Sequence, residues 1–228
     1  MLSFYGRRYS RTIKNDQLKS LDDFKFFLDK KKIKKFKTKI KNFENFNLEI
    51  GFGGGENIFS QSLKNDRDLF LGCDPYLRGS FNLKKNIKAY DLKNLFFTNL
   101  DFSELAKFLK GITFKKIIIL FPDPWPKKRH KKRRLINFNF VNFLDLISFE
   151  KTKIIGATDH EDYLNQILYE FFKSKFFALS TEVVGYEIES YFDISPTKYQ
   201  KKAKKNKKKL YFLLFEKKKF LKNFFKII

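Results

Sequence analysis

Cysteine is nearly absent: Cys73 is the single one in 228 residues. That excludes an intrachain disulfide framework and a cysteine-based zinc site, and leaves Cys73 as a small strand residue. Long apolar runs are also missing. None approaches the roughly 20 residues that a membrane-spanning helix needs, and the opening MLSFYGRRYS lacks the apolar core of a signal peptide. A cytoplasmic protein is expected. Acid is scarce against base, with 25 Asp and Glu facing 49 Lys and Arg for a formal net charge of +24. Such an excess draws a protein to polyanions, nucleic acid first, with anionic membrane surface as the competing partner. No His, Cys or Ser arrangement suited to covalent catalysis stands out.

Scarcity makes position informative. Lysine, asparagine, isoleucine and phenylalanine are heavy throughout, a drift of the whole composition, but the chain has eight arginines and six fall in two short stretches. One is Arg7, Arg8 and Arg11; the other is Arg129, Arg133 and Arg134. Guanidinium offers a planar donor fork that lysine cannot reproduce, so arginine kept in a lysine-dominated chain points to phosphate or base recognition. The second stretch belongs to FPDPWPKKRHKKRR (121 to 134), which also holds three of five prolines, the only Trp and one of two His. Pro122, Pro124 and Pro126 fix φ at alternate positions, which predicts a stiff, extended turn holding Asp123 and Trp125 out of any helix.

The remaining chain alternates strand and helix. Predicted strands are 46 to 50, 69 to 73, 94 to 98, 117 to 120, 153 to 157, 176 to 181 and 209 to 217. One predicted helix follows Gly55 and a second, after the strand at 69 to 73, runs through about Ile87; others cover 103 to 110, 135 to 149 and 161 to 173. This order predicts an α/β fold with a doubly wound, mostly parallel sheet and right-handed crossovers. Ahead of it lie a basic arm (to about residue 11) and a covering helix from Asp16 to Ile40 with Leu18, Leu21, Phe24, Phe27 and Leu28 on one face. The domain reading is thus 1–40 for arm and covering helix and 41–228 for a single catalytic domain. Residues 195 to 208 are too polar for core and read as a loop plus short helix facing a partner. The tail from 217 to 228 alternates Lys with Phe; a packed or frayed terminus is favoured over a membrane-surface helix.

Four of the ten glycines lie between Gly51 and Gly55 in LEIGFGGGENI. Glycine after a first strand lets the backbone turn sharply and approach a ligand. A dinucleotide fingerprint fails, because counting from Gly51 its third glycine would fall at Glu56. Glu49, Gly51, Gly53 and Gly55 give E-x-G-x-G-x-G instead, which resembles motif I of class I S-adenosylmethionine methyltransferases. Asp74, ending the second strand, is placed to accept from ribose hydroxyls, Glu49 to face the cationic methionyl end, and Asp101, after the third strand, to approach adenine.

LEIGFGGGE, GCDPYLRG, FPDPWPKKRHKKRR, ATDHEDY and SPTKYQ together are similar in order and spacing to bacterial tRNA (guanine-N7)-methyltransferases, and FYGRR resembles that family's N-terminal arm. The resemblance implies a Rossmann-like class I methyltransferase fold, S-adenosyl-L-methionine as methyl donor, no metal, and methylation of N7 of guanine 46 in the tRNA variable loop. It implies donor binding by Glu49, Gly51, Gly53, Gly55, Asp74, Asp101 and Asp123, with Asp123 also catalytic. Lys127, Asp159, Thr197, Lys198, Tyr199 and Gln200 would contact the substrate nucleotide. Arg129, His130, Lys131, Lys132, Arg133 and Arg134, with Arg7, Arg8 and Arg11, would bind the RNA. tRNA is then the partner, with no membrane and no obligatory protein partner; monomer and homodimer stay open. Gln200 replaces the family's usual Glu, Lys131 a common second His, and Asp74 a usual Glu.

Two other readings exist. PDPW is similar to the (D/N/S)-P-P-(Y/F/W) motif of amino methyltransferases, but Asp123 displaces the second proline and with it the carbonyl arrangement that binds an exocyclic amine. A non-catalytic RNA-binding protein on the same fold has no need of carboxylates at 49, 74, 101 and 123, which repel phosphate.

Overall fold

The apolar runs of Leu, Ile and Phe that alternate with amphipathic segments form strands and helices in a computed structural model, which describes residue 13 and residues 15–40, 43–180 and 187–219. Seven strands make one sheet: β1 (Phe46–Ile50), β2 (Leu69–Cys73), β3 (Leu95–Thr98), β4 (Phe114–Leu120), β5 (Ser148–Thr158), β6 (Phe177–Leu179) and β7 (Tyr211–Lys217). Their spatial order is β3-β2-β1-β4-β5-β7-β6. The order reverses beside β1, between β2 and β4, so the carboxyl ends of those strands frame a crevice. β7 runs antiparallel to both β5 and β6 and is the one reversed strand among the described residues.

Crossover helices α4 (Glu56–Lys64), α5 (Leu77–Ala89), α6 (Phe102–Leu105), α7 (Phe138–Leu146) and α8 (Glu161–Ser174) follow their strands. Sequence over-reached on two of them. Residues 103 to 110 split into α6 and a 3-10 turn at Ala106–Phe108. The helix expected over 135 to 149 begins only at Phe138, capped by the Asn137 side chain, because Leu135 and Ile136 still belong to the loop that carries the basic run. Between β6 and β7 lie α9 (Glu187–Tyr191), which the sequence did not signal, and α10 (Lys198–Lys205), inside the loop-plus-helix expected at 195 to 208.

The covering helix of residues 16 to 40 is corrected to three short helices, α1 (Asn15–Asp22), α2 (Lys30–Lys34) and α3 (Phe36–Lys39). Between α1 and α2 the chain is extended: Phe27 forms a parallel bridge to Phe97. Phe97 N donates to Phe26 O at 3.0 Å and Leu28 N to Phe97 O at 2.8 Å. Consecutive phenylalanines suit a strand better than a helix. Here they close the open edge of β3 and pack Phe26 and Phe27 on Phe96 and Phe97. Leu21, Phe26, Phe27, Leu28, Ile33 and Phe36 join the same core as the sheet. No helix among the described residues is long and apolar enough to cross a membrane. The arm with Arg7, Arg8 and Arg11, and the tail beyond Lys219, lie outside the described residues.

Candidate active site

At the carboxyl ends of β1, β2 and β4 opens a cavity of about 660 Å³. Its floor is the glycine turn. Gly51, Gly53 and Gly55 have φ of 78°, 55° and 84°, whereas Gly54, outside the E-x-G-x-G-x-G pattern, is not among the positive-φ residues. Those three positions need glycine for conformation. Gly79, on α5, needs it for space: a Cβ there would stand 1.8 Å from the Gly53 carbonyl oxygen. Asp74 folds back onto the same turn, accepting from Gly53 N at 2.7 Å and from Tyr76 N at 2.8 Å. Burial raises its carboxyl above the ordinary range, those two N–H groups oppose the shift, and nearby Asp123 adds to it.

Glu49 is 3% exposed and accepts from Asn57 Nδ2 at 2.8 Å. Burial pushes its carboxyl up to about 8, partly offset by the Asn57 bond, with Glu56 and Asp74 reinforcing the rise. No ion pair of Glu49 occurs among the described residues. Asn57, which sequence reasoning missed, is fully buried and also accepts from Ser195 N at 3.0 Å, so it joins the floor to the segment before α10. Its only signal was a polar residue on the inward face of a helix. Asp101 is buried as the N-cap of α6, accepting from Glu104 N at 3.0 Å; its neighbour Phe102 supplies the cavity wall.

The opposite wall comes from the segment after β4. Phe121, Pro122, Asp123, Trp125 and Arg133 line the cavity, together with Thr197, Lys198 and Tyr199 from the start of α10. The proline-stiffened turn is not simply extended: Phe121 and Trp125, each directly before a proline, have φ of 50° and 41°. Bulky residues in that region carry strain, and the two turns aim Asp123 inward between them. Asp123 stands exposed at the mouth, and desolvation by the surrounding walls raises its carboxyl. The Arg133 guanidinium lies 5.0 Å over the Trp125 ring, with His130 edge-on to that ring at 5.7 Å. Desolvation first, then Arg133, Arg129, Lys127 and Lys132, hold His130 below its ordinary value.

Several expected site residues outside the cavity lining, and Thr197 within it, make bonds of their own. Asp159 stands beside the rim, where its carboxylate accepts from Tyr199 Oη at 3.1 Å and pairs with Lys208 at 2.5 Å. Thr197 caps α10 by accepting from Gln200 N at 3.1 Å. Gln200 is fully buried on the far side of α10, donating to Glu189 of α9 at 2.7 Å, so the structure does not bring it to the cavity. Lys127, Arg129 and Lys132 are exposed around the rim, and Lys131 pairs with Asp162 at 2.6 Å. Arg134 is 2% exposed and bonded to protein groups throughout, a correction to its expected place on the RNA-facing surface.

The arrangement has carboxyl groups along its interior (Glu49, Glu56 and Asp74), Asp123 at the mouth and a cationic rim. An interior of carboxyl groups suits a positively charged small molecule. A family described as putative methyltransferase matches residues 44–213. The chain belongs to that methyltransferase family. Among curated relatives, the enzyme is 38% identical over 165 residues to a tRNA (guanine-N(7)-)-methyltransferase of Wolbachia pipientis wMel, covering 72% of each chain. It is 34% identical over 166 residues to one from Neorickettsia sennetsu (strain ATCC VR-367 / Miyayama), covering 73% of each. Of solved structures, an antibiotic-related methyltransferase superposes with TM-score 0.57 at 17% identity, over 92% of this chain and 98% of that one. The 16S rRNA methyltransferase KamB does so with TM-score 0.57 at 10% identity, over 84% and 95%. Those likenesses establish the Rossmann-like class I methyltransferase fold.

Proposed function

We propose that the enzyme transfers a methyl group from S-adenosyl-L-methionine to N7 of guanine 46 in the variable loop of tRNA. The observation that carries this reading is the division of charge: buried carboxylates around a glycine turn, ringed by arginine and lysine. The names of the relatives support the choice of base and of tRNA. Residues present fit the donor, since Glu49 is buried with no ion pair among the described residues and Gly51 and Gly53 leave open space beside the backbone. Bound there, the donor supplies an electrophilic methyl on a sulfonium. Glu49 would face the cationic end, Asp74 the ribose, and the Asp101–Phe102 corner the adenine.

Guanine N7 carries an in-plane lone pair at neutral pH, so no base need remove a proton first. What the protein supplies is alignment and charge management. Asp123 holds the donors on the guanine edge and stabilises the positive charge that passes to the purine. Lys127, Asp159 and Thr197 to Tyr199 grip the nucleotide, and Gln200 acts from behind by fixing α10 to α9. Asp159 exchanges its bonds to Tyr199 and Lys208 for the substrate. Arg129, His130, Lys131, Lys132 and Arg133, with Arg7, Arg8 and Arg11 of the arm, hold phosphates. The test is incubation with unmodified tRNA and labelled donor, then reduction and aniline treatment: scission at guanine 46 is expected, and a label that survives without scission at any guanine would overturn the reading.

A further inference from the structure

Arg134 ends the basic run yet none of its donors faces solvent. Its side chain is 1% exposed. Nε donates to Pro124 O at 2.8 Å, Nη1 to Gln166 Oε1 at 2.8 Å, and Nη2 to Asp162 Oδ2 at 2.5 Å. A longer contact of 3.4 Å joins Nη1 to the Asp162 carbonyl, and the guanidinium lies 4.8 Å over the Tyr163 ring. Tyr163 in turn accepts from Ile136 N at 3.0 Å, which fixes the chain just beyond Arg134.

The partners fall on two segments. Pro124 sits between Asp123 and Trp125 in the loop after β4. Asp162, Tyr163 and Gln166 lie on the first turns of α8, which begins directly after Asp159 and the end of β5. We propose that Arg134 is a positioning residue: its fork ties the loop of Asp123 to the helix that follows Asp159, and so sets the separation of the two carboxylates across the substrate nucleotide. This rests on the methyl-transfer reading for its catalytic consequence, though the tie itself does not. The Pro124 carbonyl is flanked by strained Trp125, so a donor held on it restrains the turn that aims Asp123. Lysine cannot do this, since one ammonium on a flexible stem does not reach three acceptors in a plane.

The experiment uses the full chain carrying Arg134→Lys, beside the milder Gln166→Leu. Turnover should fall about 10- to 100-fold in Arg134→Lys, the scale of a misplacement near 1 Å, and less in Gln166→Leu. The KM for tRNA and the slope of log affinity against log salt should stay at wild-type values. Added to Asp123→Asn, Arg134→Lys should lower turnover by less than it does alone, because part of its effect runs through Asp123. Trp125, the sole tryptophan, supplies a readout that needs no reaction: acrylamide should quench it more readily in both variants. Unchanged quenching overturns the tie even if the protein methylates nothing. Wild-type turnover with a flattened salt slope returns Arg134 to the RNA-binding set and overturns the proposal, as does a lowered Tm with quenching and turnover both intact.

Discussion

The two walls of the cavity are built on opposite plans. On the wall proposed for the donor, polar groups are fixed at short range by backbone: Asp74 by two N–H groups, Asp101 by its helix start, the glycines by their own φ. On the wall proposed for the substrate, long side chains reach across segments, as Tyr199 and Lys208 do to Asp159 and Arg134 does to Pro124. A floor assembled from backbone is preformed, whereas a rim of lysine and arginine can re-pair when a polyanion arrives. Substitutions on the floor should therefore change donor binding alone, and those on the rim should change tRNA binding or turnover alone.

The largest expected break is at Asp123, where the two walls meet. Asp123→Asn should lower turnover by about 10²-fold or more while tRNA affinity holds, because removing the carboxylate also relieves repulsion of phosphate. Single-turnover methylation beside filter binding checks this, and activity within twofold of wild type would sink it. Next is Gly79→Ala, whose added methyl collides with Gly53 backbone rather than with a flexible side chain. Overpacking of this kind costs about 1–3 kcal/mol, and it should appear as a lower Tm with donor affinity reduced at least tenfold. Titration calorimetry should find tRNA affinity untouched; an equal loss for both ligands would erase the contrast between the walls.

Salt dependence sharpens the rim. Arg129→Ala together with Arg133→Ala should flatten the slope of log affinity against log salt by roughly 1.4 to 1.8 units, at about 0.7 to 0.9 per phosphate contact. If Lys201, Lys202 and Lys204 replaced by alanine weaken binding and turnover as much, total charge and not placement governs the rim. The smallest effect concerns Glu49. Its carboxyl, raised to about 8, keeps a proton in the fold that the unfolded chain has released, so the ligand-free enzyme should lose stability as pH climbs from about 4.5 to about 8. A cationic donor favours the carboxylate, so binding should expel that proton and tighten over the same window. Calorimetry in buffers of different ionisation enthalpy measures the release, and Glu49→Gln should remove it.

The sheet was legible because its strands are fully apolar runs bounded by turn residues, and the floor because three positive-φ turns demand glycine at fixed spacing. What failed to show has physical reasons too. Phe24, Phe27 and Leu28 match a helical period, yet residues 26 to 28 are claimed by the unpaired edge of β3, a partner about 70 residues away. Arg134 and Arg133 are adjacent and identical in type, but one is pulled inward by acceptors on α8 and the other lies on Trp125 at the cavity. Gln200 follows Thr197, Lys198 and Tyr199, all of which line the cavity, while its place on α10 turns it to Glu189. Asn57 and Gly79 act through contacts between elements, which local pattern does not encode.

The register of the central ladder has a consequence for how the chain survives its own synthesis. Asn47 of β1 pairs with Lys116 of β4, so the middle of the sheet cannot close until the three crossovers through α4, α5 and α6 have been made. Parallel pairings of such separation are slow, and until they form, β1 and β2 present unsheltered hydrogen-bonding edges and apolar faces to other chains. A chain with 31 phenylalanines is exposed to aggregation during that interval. An excess of 49 Lys and Arg over 25 Asp and Glu keeps emerging segments mutually repulsive. Much of the charge that looks like an RNA footprint then acts before any RNA is met, as a guard on the nascent sheet.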